Sequence, residues 1–315
     1  VTRSINQYLT HWFYPYKGKF HPQMIRALAN ILKVPEGGRV LDPFIGSGTT
    51  ALECQLLGID GVGLDISPLC VAVSSAKVQS LGVLEDLRRL AGAPEGEKDL
   101  FSGAADPARG NAHVRTFFQV ADLIAASDAG RRGRDRGKAR DENLRRMLAS
   151  VEAYAGVRDS LGLAPGRWEI REGDALELPF ESWSFDAVIT SPPYSIALDY
   201  MANDAAALET LGAEADLLRG RCLGLKGARR ERVARYHQDL ARSVQEIARV
   251  LKPGGGLALV LGDASVDAEV LPTTRLASEA AVAAGLEPGP AVDKVIFGLY
   301  SIMQREKILL FSKPS

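Results

Sequence analysis

Short apolar runs alternate with segments of helical periodicity along most of the 315 residues, and this alternation constrains the fold more than any other feature. Strand-length apolar runs joined by helix-length connections predict a largely parallel sheet, because a parallel pair needs a crossover between its strands. Val40 and Leu41 lead into DPFIGSGTT, after which residues 49–58 read as a helix. Residues 61–66 read as a second strand, and Ser67-Pro68 cap the helix after it, with proline near its first turn. WEIREGD at 168–174 and FDAVIT at 185–190 read as the third and fourth strands. An amphipathic helix over 234–251 is expected to stop at Lys252-Pro253-Gly254-Gly255-Gly256 and to be followed by a turn. A strand at 257–262 and a helix near 274–285 come next, and two last extended runs, 292–298 and 305–312, are spaced to pair as a hairpin.

Residues 81–165 interrupt this pattern between the second and third strands. A βαβ connection needs far fewer residues, so they read as a helical insertion in one domain made of residues 1–80 and 166–315. The insertion contains a basic run, RRGRDRGKARDENLRR at 131–146. Net charge is only −1, so a polyanion would have to be met by local patches of this kind. Arg131, Arg132 and Arg134 suit a loop that tracks phosphates, which makes the insertion a candidate nucleic-acid recognition segment. Arg229 and Arg230 begin a second basic cluster further on. The three cysteines are far apart and form no CxxC pair, which argues against a zinc site and a disulfide framework. No stretch approaches the roughly 18 apolar residues of a membrane span, and the first twenty residues show no signal-type apolar run, so a cytoplasmic protein is expected.

DPFIGSGTT lies where a strand turns into a helix, a place where glycines let backbone approach a ligand and helix N–H groups face it. Gly46, Gly48 and Ala51 match G-x-G-x-x-A, and Asp65 follows at the distance where an acid binds a ribose hydroxyl. Those residues alone fit a nicotinamide dinucleotide equally well. Asp42 separates the two cases, since a carboxylate entering the loop would repel a pyrophosphate but could hold an ammonium group. Asp174, ending the third strand, is placed to accept from an adenine amino group. Three acids at three strand ends suit S-adenosylmethionine, a cation with ammonium, ribose and adenine donors.

Ser191-Pro192-Pro193-Tyr194 comes directly off FDAVIT, at the strand edge where open α/β sheets bind ligands. An aromatic exocyclic amine is a poor nucleophile because its lone pair is delocalised into the ring. The Ser191 hydroxyl and a proline-stiffened carbonyl could take both amino hydrogens and aim the lone pair at a methyl donor. Tyr194 supplies a ring to stack on the base, which must leave a duplex to be reached. No cysteine follows a proline, which argues against methylation of a ring carbon through a thiol adduct, and without GxxxxGK[ST] ATP hydrolysis is not suggested.

These two motifs, with YPYKGKFHPQMI before the first, resemble the amino-methylating DNA methyltransferases, the N4-cytosine and N6-adenine family. The resemblance runs on through LKPGG, LVLGD and REKILLFSKP. It implies a Rossmann-like class I methyltransferase fold, α/β, with a seven-stranded, mostly parallel sheet, helices on both faces and the last strand antiparallel. It implies S-adenosylmethionine as cofactor, bordered by Phe20, His21, Pro22 and Gln23 and lined by Asp42, Pro43, Phe44, Gly46, Ser47, Gly48 and Thr49. Asp65 and Ile66 would face ribose, Asp174 and Ala175 adenine, and Ser191, Pro192, Pro193 and Tyr194 would form the catalytic loop. DNA is the implied partner, with a cognate restriction endonuclease beside it. SPPY is more typical of cytosine N4 than of adenine N6. Two other readings stay open: an RNA methyltransferase of the guanosine-N2 type, and a DNA-binding subunit without catalysis.

Overall fold

The computed structural model describes residues 7–16, 18–91, 110–193, 200–224, 229–266, 269–295 and 305–315. Its centre is one sheet built from β1 (Arg39–Asp42), β2 (Asp60–Asp65), β3 (Trp168–Glu172), β4 (Phe185–Thr190), β5 (Leu251–Leu261), β8 (Glu287–Val295) and β9 (Arg305–Ser312), while β6 (Ala264–Val266) and β7 (Glu269–Leu271) pair apart from it. The strand order is β3-β2-β1-β4-β5-β9-β8. The first five are parallel, and β9 runs antiparallel to both β5 and β8. The fold is therefore the expected α/β one, seven-stranded, mostly parallel, with the last strand reversed.

Burial on both faces explains why the strands read as nearly continuous apolar runs. Leu41, Val62, Val188, Leu257 and Leu259 face one layer with Tyr236, Leu240, Val244 and Ile247 of α7 (Arg229–Val250) and Ala277 of α8 (Thr273–Ala283). Their neighbours Val40, Ala187, Ile189, Ala258 and Val260 face the other layer, with Ile25 and Leu28 of α1 (Pro22–Ile31) and Leu52 of α2 (Thr49–Leu56). Glu53, fully buried on α2, accepts from the Tyr8 hydroxyl at 2.5 Å and His11 Nε2 at 2.6 Å, and pairs with Arg26 of α1. Burial pushes this carboxyl up, but the three partners outweigh it and leave the pKa below the usual range. The N-terminal segment is thereby tied to the helix that follows the glycine-rich turn.

The insertion forms a helical layer: α4 (Leu84–Ala91), α5 (Ala112–Arg132) and α6 (Arg136–Leu161). Phe117, Phe118, Leu123 and Met147 share one core with Leu69, Val73 and Ala76 of α3 (Pro68–Gln79) and with Phe13 and Tyr14, so the layer is continuous with the sheet domain.

Three local expectations change. The basic run is not a loop: Gly133, at φ 62°, ends α5, and the Asp135 carboxylate already caps α6 by accepting from Lys138 N–H. Ser67 stands at the N-cap of α3 but makes no side-chain cap bond; its N–H donates to Asp65 Oδ1 at 2.9 Å. Residues 252–256 stay in β5, because Gly254 N–H donates to Lys313 O at 2.9 Å and Lys313 N–H to Gly255 O at 2.8 Å, while residues 252–255 bulge out of β5 opposite Asp186 of β4.

Candidate active site

Strand order reverses between β1 and β4, and in open α/β sheets a ligand crevice opens at the carboxyl ends beside such a switch point. Here that crevice is a cleft open to solvent. Asp42 ends β1, Asp65 ends β2, and Asp174 lies just past β3, on three adjacent strands, and all three line the cleft. Phe20, Pro43, Phe44, Gly46, Ser47 and Thr49 line it too, as do Ile66 and Ala175. Ser191, Pro192 and Pro193 close it from the end of β4. Tyr194 lies outside the described residues.

Four expected residues do not line the cleft. Pro22 is buried at the first turn of α1, where its missing N–H costs no helix bond, and Gln23 follows it into the helix. His21 is the N-cap of that helix and lines an adjoining cavity with His11, Lys19, Phe20 and Thr49. Gly48, at φ 77°, turns the chain into α2, and a Cβ there would lie 2.7 Å from Ser74 Cβ, so its part is to let the loop sit against α3. Arg132 pairs with Asp128 and Arg134 with Asp128 and Glu142, while Arg131 donates to Asn203 O and pairs at 3.6 Å with Asp204, which lines the cleft. Arg229 and Arg230 open α7, with their side chains outside the described residues.

The acids also organise the loop. Asp42 is 1% exposed, and its Oδ1 accepts from Phe44 N–H at 3.1 Å and from Thr190 Oγ1 at 2.6 Å. Burial pushes its carboxyl up to about 6, against the pull of those donors. Asp65 straddles the turn: Oδ2 accepts from Gly46 N–H at 3.0 Å and Oδ1 from Ser67 N–H at 2.9 Å, and burial again raises the carboxyl to about 6. Asp174 closes its own turn by accepting from Leu176 N–H at 2.9 Å. A fully buried lysine, Lys77 of α3, donates to the Ser47 carbonyl from beneath the loop. The Tyr16 ring covers Gly46, where a Cβ would lie 3.3 Å from it.

Sequence reasoning did not find Thr190, Lys77, Lys19, Tyr16 or Asp204. Thr190, Lys77 and Asp204 owe their places to contacts between segments remote in the chain. Tyr16 and Lys19 carried a signal, as residues of the segment YPYKGKFHPQMI.

A family model for DNA methylases of the N6 and N4 type matches residues 14–75, which hold the N-terminal segment, the glycine-rich turn and Asp65. The type II methyltransferase M.MjaII of Methanocaldococcus jannaschii is 40% identical over 74 residues, 23% of this chain and 14% of that protein. A tRNA (guanine(10)-N2)-dimethyltransferase of Methanothermobacter thermautotrophicus is 35% identical over 74 residues, 24% of this chain and 21% of that protein. The aligned parts thus span only a small share of these relatives' lengths. Among solved structures, a SAM-dependent methyltransferase from Methanosarcina mazei aligns over 91% of this chain and 97% of its own, at 13% identity and a TM-score of 0.41.

Proposed function

We propose that this chain, whose residues 14–75 carry the pattern of the amino-methylating DNA methylases, transfers a methyl group from S-adenosylmethionine to the exocyclic amine of a DNA base, cytosine N4 before adenine N6. The observation that carries the reading is the 2.6 Å hydrogen bond from Thr190 Oγ1 to Asp42. It joins the strand end of the donor loop to the strand end that presents Ser191, so donor and acceptor share one cleft.

The residues fit that cofactor. Asp42, Asp65, Asp174 and Asp204 set four carboxylates around a cleft with apolar walls, as a ligand with two cationic centres and several N–H and O–H donors requires. Bare backbone at Gly46 leaves room for close approach. When bound, the cofactor supplies a methyl group on a sulfonium centre, open to direct displacement by a weak nitrogen nucleophile.

The chain's own work is placement. The Ser191 hydroxyl and the Pro192 carbonyl accept the two amino hydrogens of the target base, which draws its lone pair out of the ring. Pro192 and Pro193 hold φ near one value, so the carbonyl keeps its aim. Tyr194 stacks on the flipped ring. The methylated nitrogen then sheds one proton to solvent. Orientation supplies most of the acceleration, in keeping with a loop that brings no strong base.

Support for DNA comes from the family model and from M.MjaII. The likeness to the tRNA (guanine(10)-N2)-dimethyltransferase favours a second reading, transfer to guanosine N2 in RNA. Incubation with methyl-labelled cofactor and separate DNA and RNA pools, followed by nucleoside mass spectrometry, decides between them. N4-methylcytosine from DNA is expected. N6-methyladenine would change the base, N2-methylguanosine the polymer, and binding of cofactor with no label transferred would sink the enzyme reading.

A further inference from the structure

The charged side chains that line the cleft are four carboxylates and, among the described residues, one cation, Lys19. Nothing so far accounts for it. Its Nζ donates to the Tyr14 carbonyl at 2.7 Å and the His11 carbonyl at 3.1 Å. Both partners are neutral backbone, and an ammonium has three donors, so one N–H remains after these two bonds. Burial pulls the Lys19 pKa down to about 8, with no carboxylate opposing the shift. A half-buried cation held only by carbonyls is short of an anion.

Its place says which anion. Lys19 lines both the cleft and the adjoining cavity, and Thr49, the first residue of α2, lines both with it. The N-cap of α2, Gly48, has no side chain to satisfy the first-turn N–H groups, and such a helix start favours negative charge. S-adenosylmethionine carries one carboxylate, on the same carbon as the ammonium assigned to Asp42. Asp204 is paired with Arg131, but beside Asp42, Asp65 and Asp174 that carboxylate would be repelled unless a cation met it.

We propose that Lys19 binds the methionine carboxylate of S-adenosylmethionine and makes the cleft select against analogues that lack it. The inference rests on the reading that this cleft takes S-adenosylmethionine, and it adds the group that fixes the amino-acid end. Asp42 and Lys19 then hold ammonium and carboxylate from two sides, which sets the direction of the chain leading to the sulfonium.

Titration calorimetry with S-adenosylmethionine and with its decarboxylated form tests this without an activity readout. A hydrogen-bonded charge pair predicts that the unaltered protein prefers the carboxylate form by about tenfold or more. Lys19→Met is expected to abolish that preference, losing about tenfold in affinity for S-adenosylmethionine while the decarboxylated form changes by less than about twofold. Lys19→Arg should keep most of the preference. If Lys19→Met does not fold, Lys19→Gln retains donors for the two carbonyls, lacks the charge, and serves for the same comparison. Equal binding of both ligands by the unaltered protein would overturn the proposal, as would a preference that survives in the neutral variant, or equal weakening of both ligands. If the unaltered protein binds neither ligand, the proposed function itself falls.

Discussion

Replacing Asp42 by Asn should stabilise the protein and weaken its hold on the cofactor at the same time. Asparagine keeps Oδ1, which accepts from Phe44 N–H and from the Thr190 hydroxyl, so both structural bonds survive. What it removes is a charge in a site that is 1% exposed. Burial raises this carboxyl from 3.8 to about 6, a shift equivalent to about 3 kcal/mol. With its folded pKa above the unfolded one, the group's contribution to stability is complete below about pH 4 and is lost as pH rises through about 6. At pH 8 the variant should therefore resist urea better than the parent by about 3 kcal/mol or somewhat less, and near pH 4 the two should converge. Affinity for S-adenosylmethionine at pH 8 should fall about tenfold or more, since the ammonium loses its counter-charge. A variant no more stable than the parent at pH 8, or a difference that does not change with pH, would refute the assignment of the raised pKa to burial. Undiminished affinity would remove Asp42 from the ammonium site.

Three further substitutions probe neighbouring links. Gly48→Ala combines a backbone at φ 77° with a Cβ 2.7 Å from Ser74 Cβ, and should cost about 1–3 kcal/mol in urea unfolding. Thr190→Val removes the hydroxyl bonded to Asp42 at 2.6 Å; a loss of about 1.5–3 kcal/mol is expected at pH 8 and much less near pH 4, where the carboxyl is neutral. Its carboxyl should also titrate at higher pH by NMR. Ser191→Ala takes one acceptor from the amine and should slow labelled methyl transfer about tenfold, with cofactor affinity in calorimetry unchanged.

Local pattern carried much of this molecule. Val40-Leu41, FDAVIT and LALVL are apolar runs too short for helices, and they sit between segments of helical period, so strand identities and the parallel sheet follow from period and length. Asp42, Gly46, Asp65 and Ser191 announce themselves because each stands at a strand end or in the turn that follows one, where turn chemistry is written in neighbouring residues. The same local view misled at 131–146. Gly and Arg in alternation look like a mobile basic loop, yet one glycine there breaks a helix and Asp135 starts the next. The arginines meet Asp122, Asp128 and Glu142, acids on the same two helices whose register the composition does not reveal.

What the sequence decided by itself was which residue types stand at the strand tips, since backbone period and turn chemistry are short-range properties. Tertiary structure alone decided which tips are neighbours. Thr190 and Asp42 are 148 residues apart in the chain and 2.6 Å apart in space because β4 lies against β1, where strand order reverses. Lys19 is held at the cleft by the His11 and Tyr14 carbonyls, and His11 is in turn held by the buried Glu53 of α2. Such contacts depend on how separate segments bury one another's surface, and side-chain order along a single strand or helix carries no record of that.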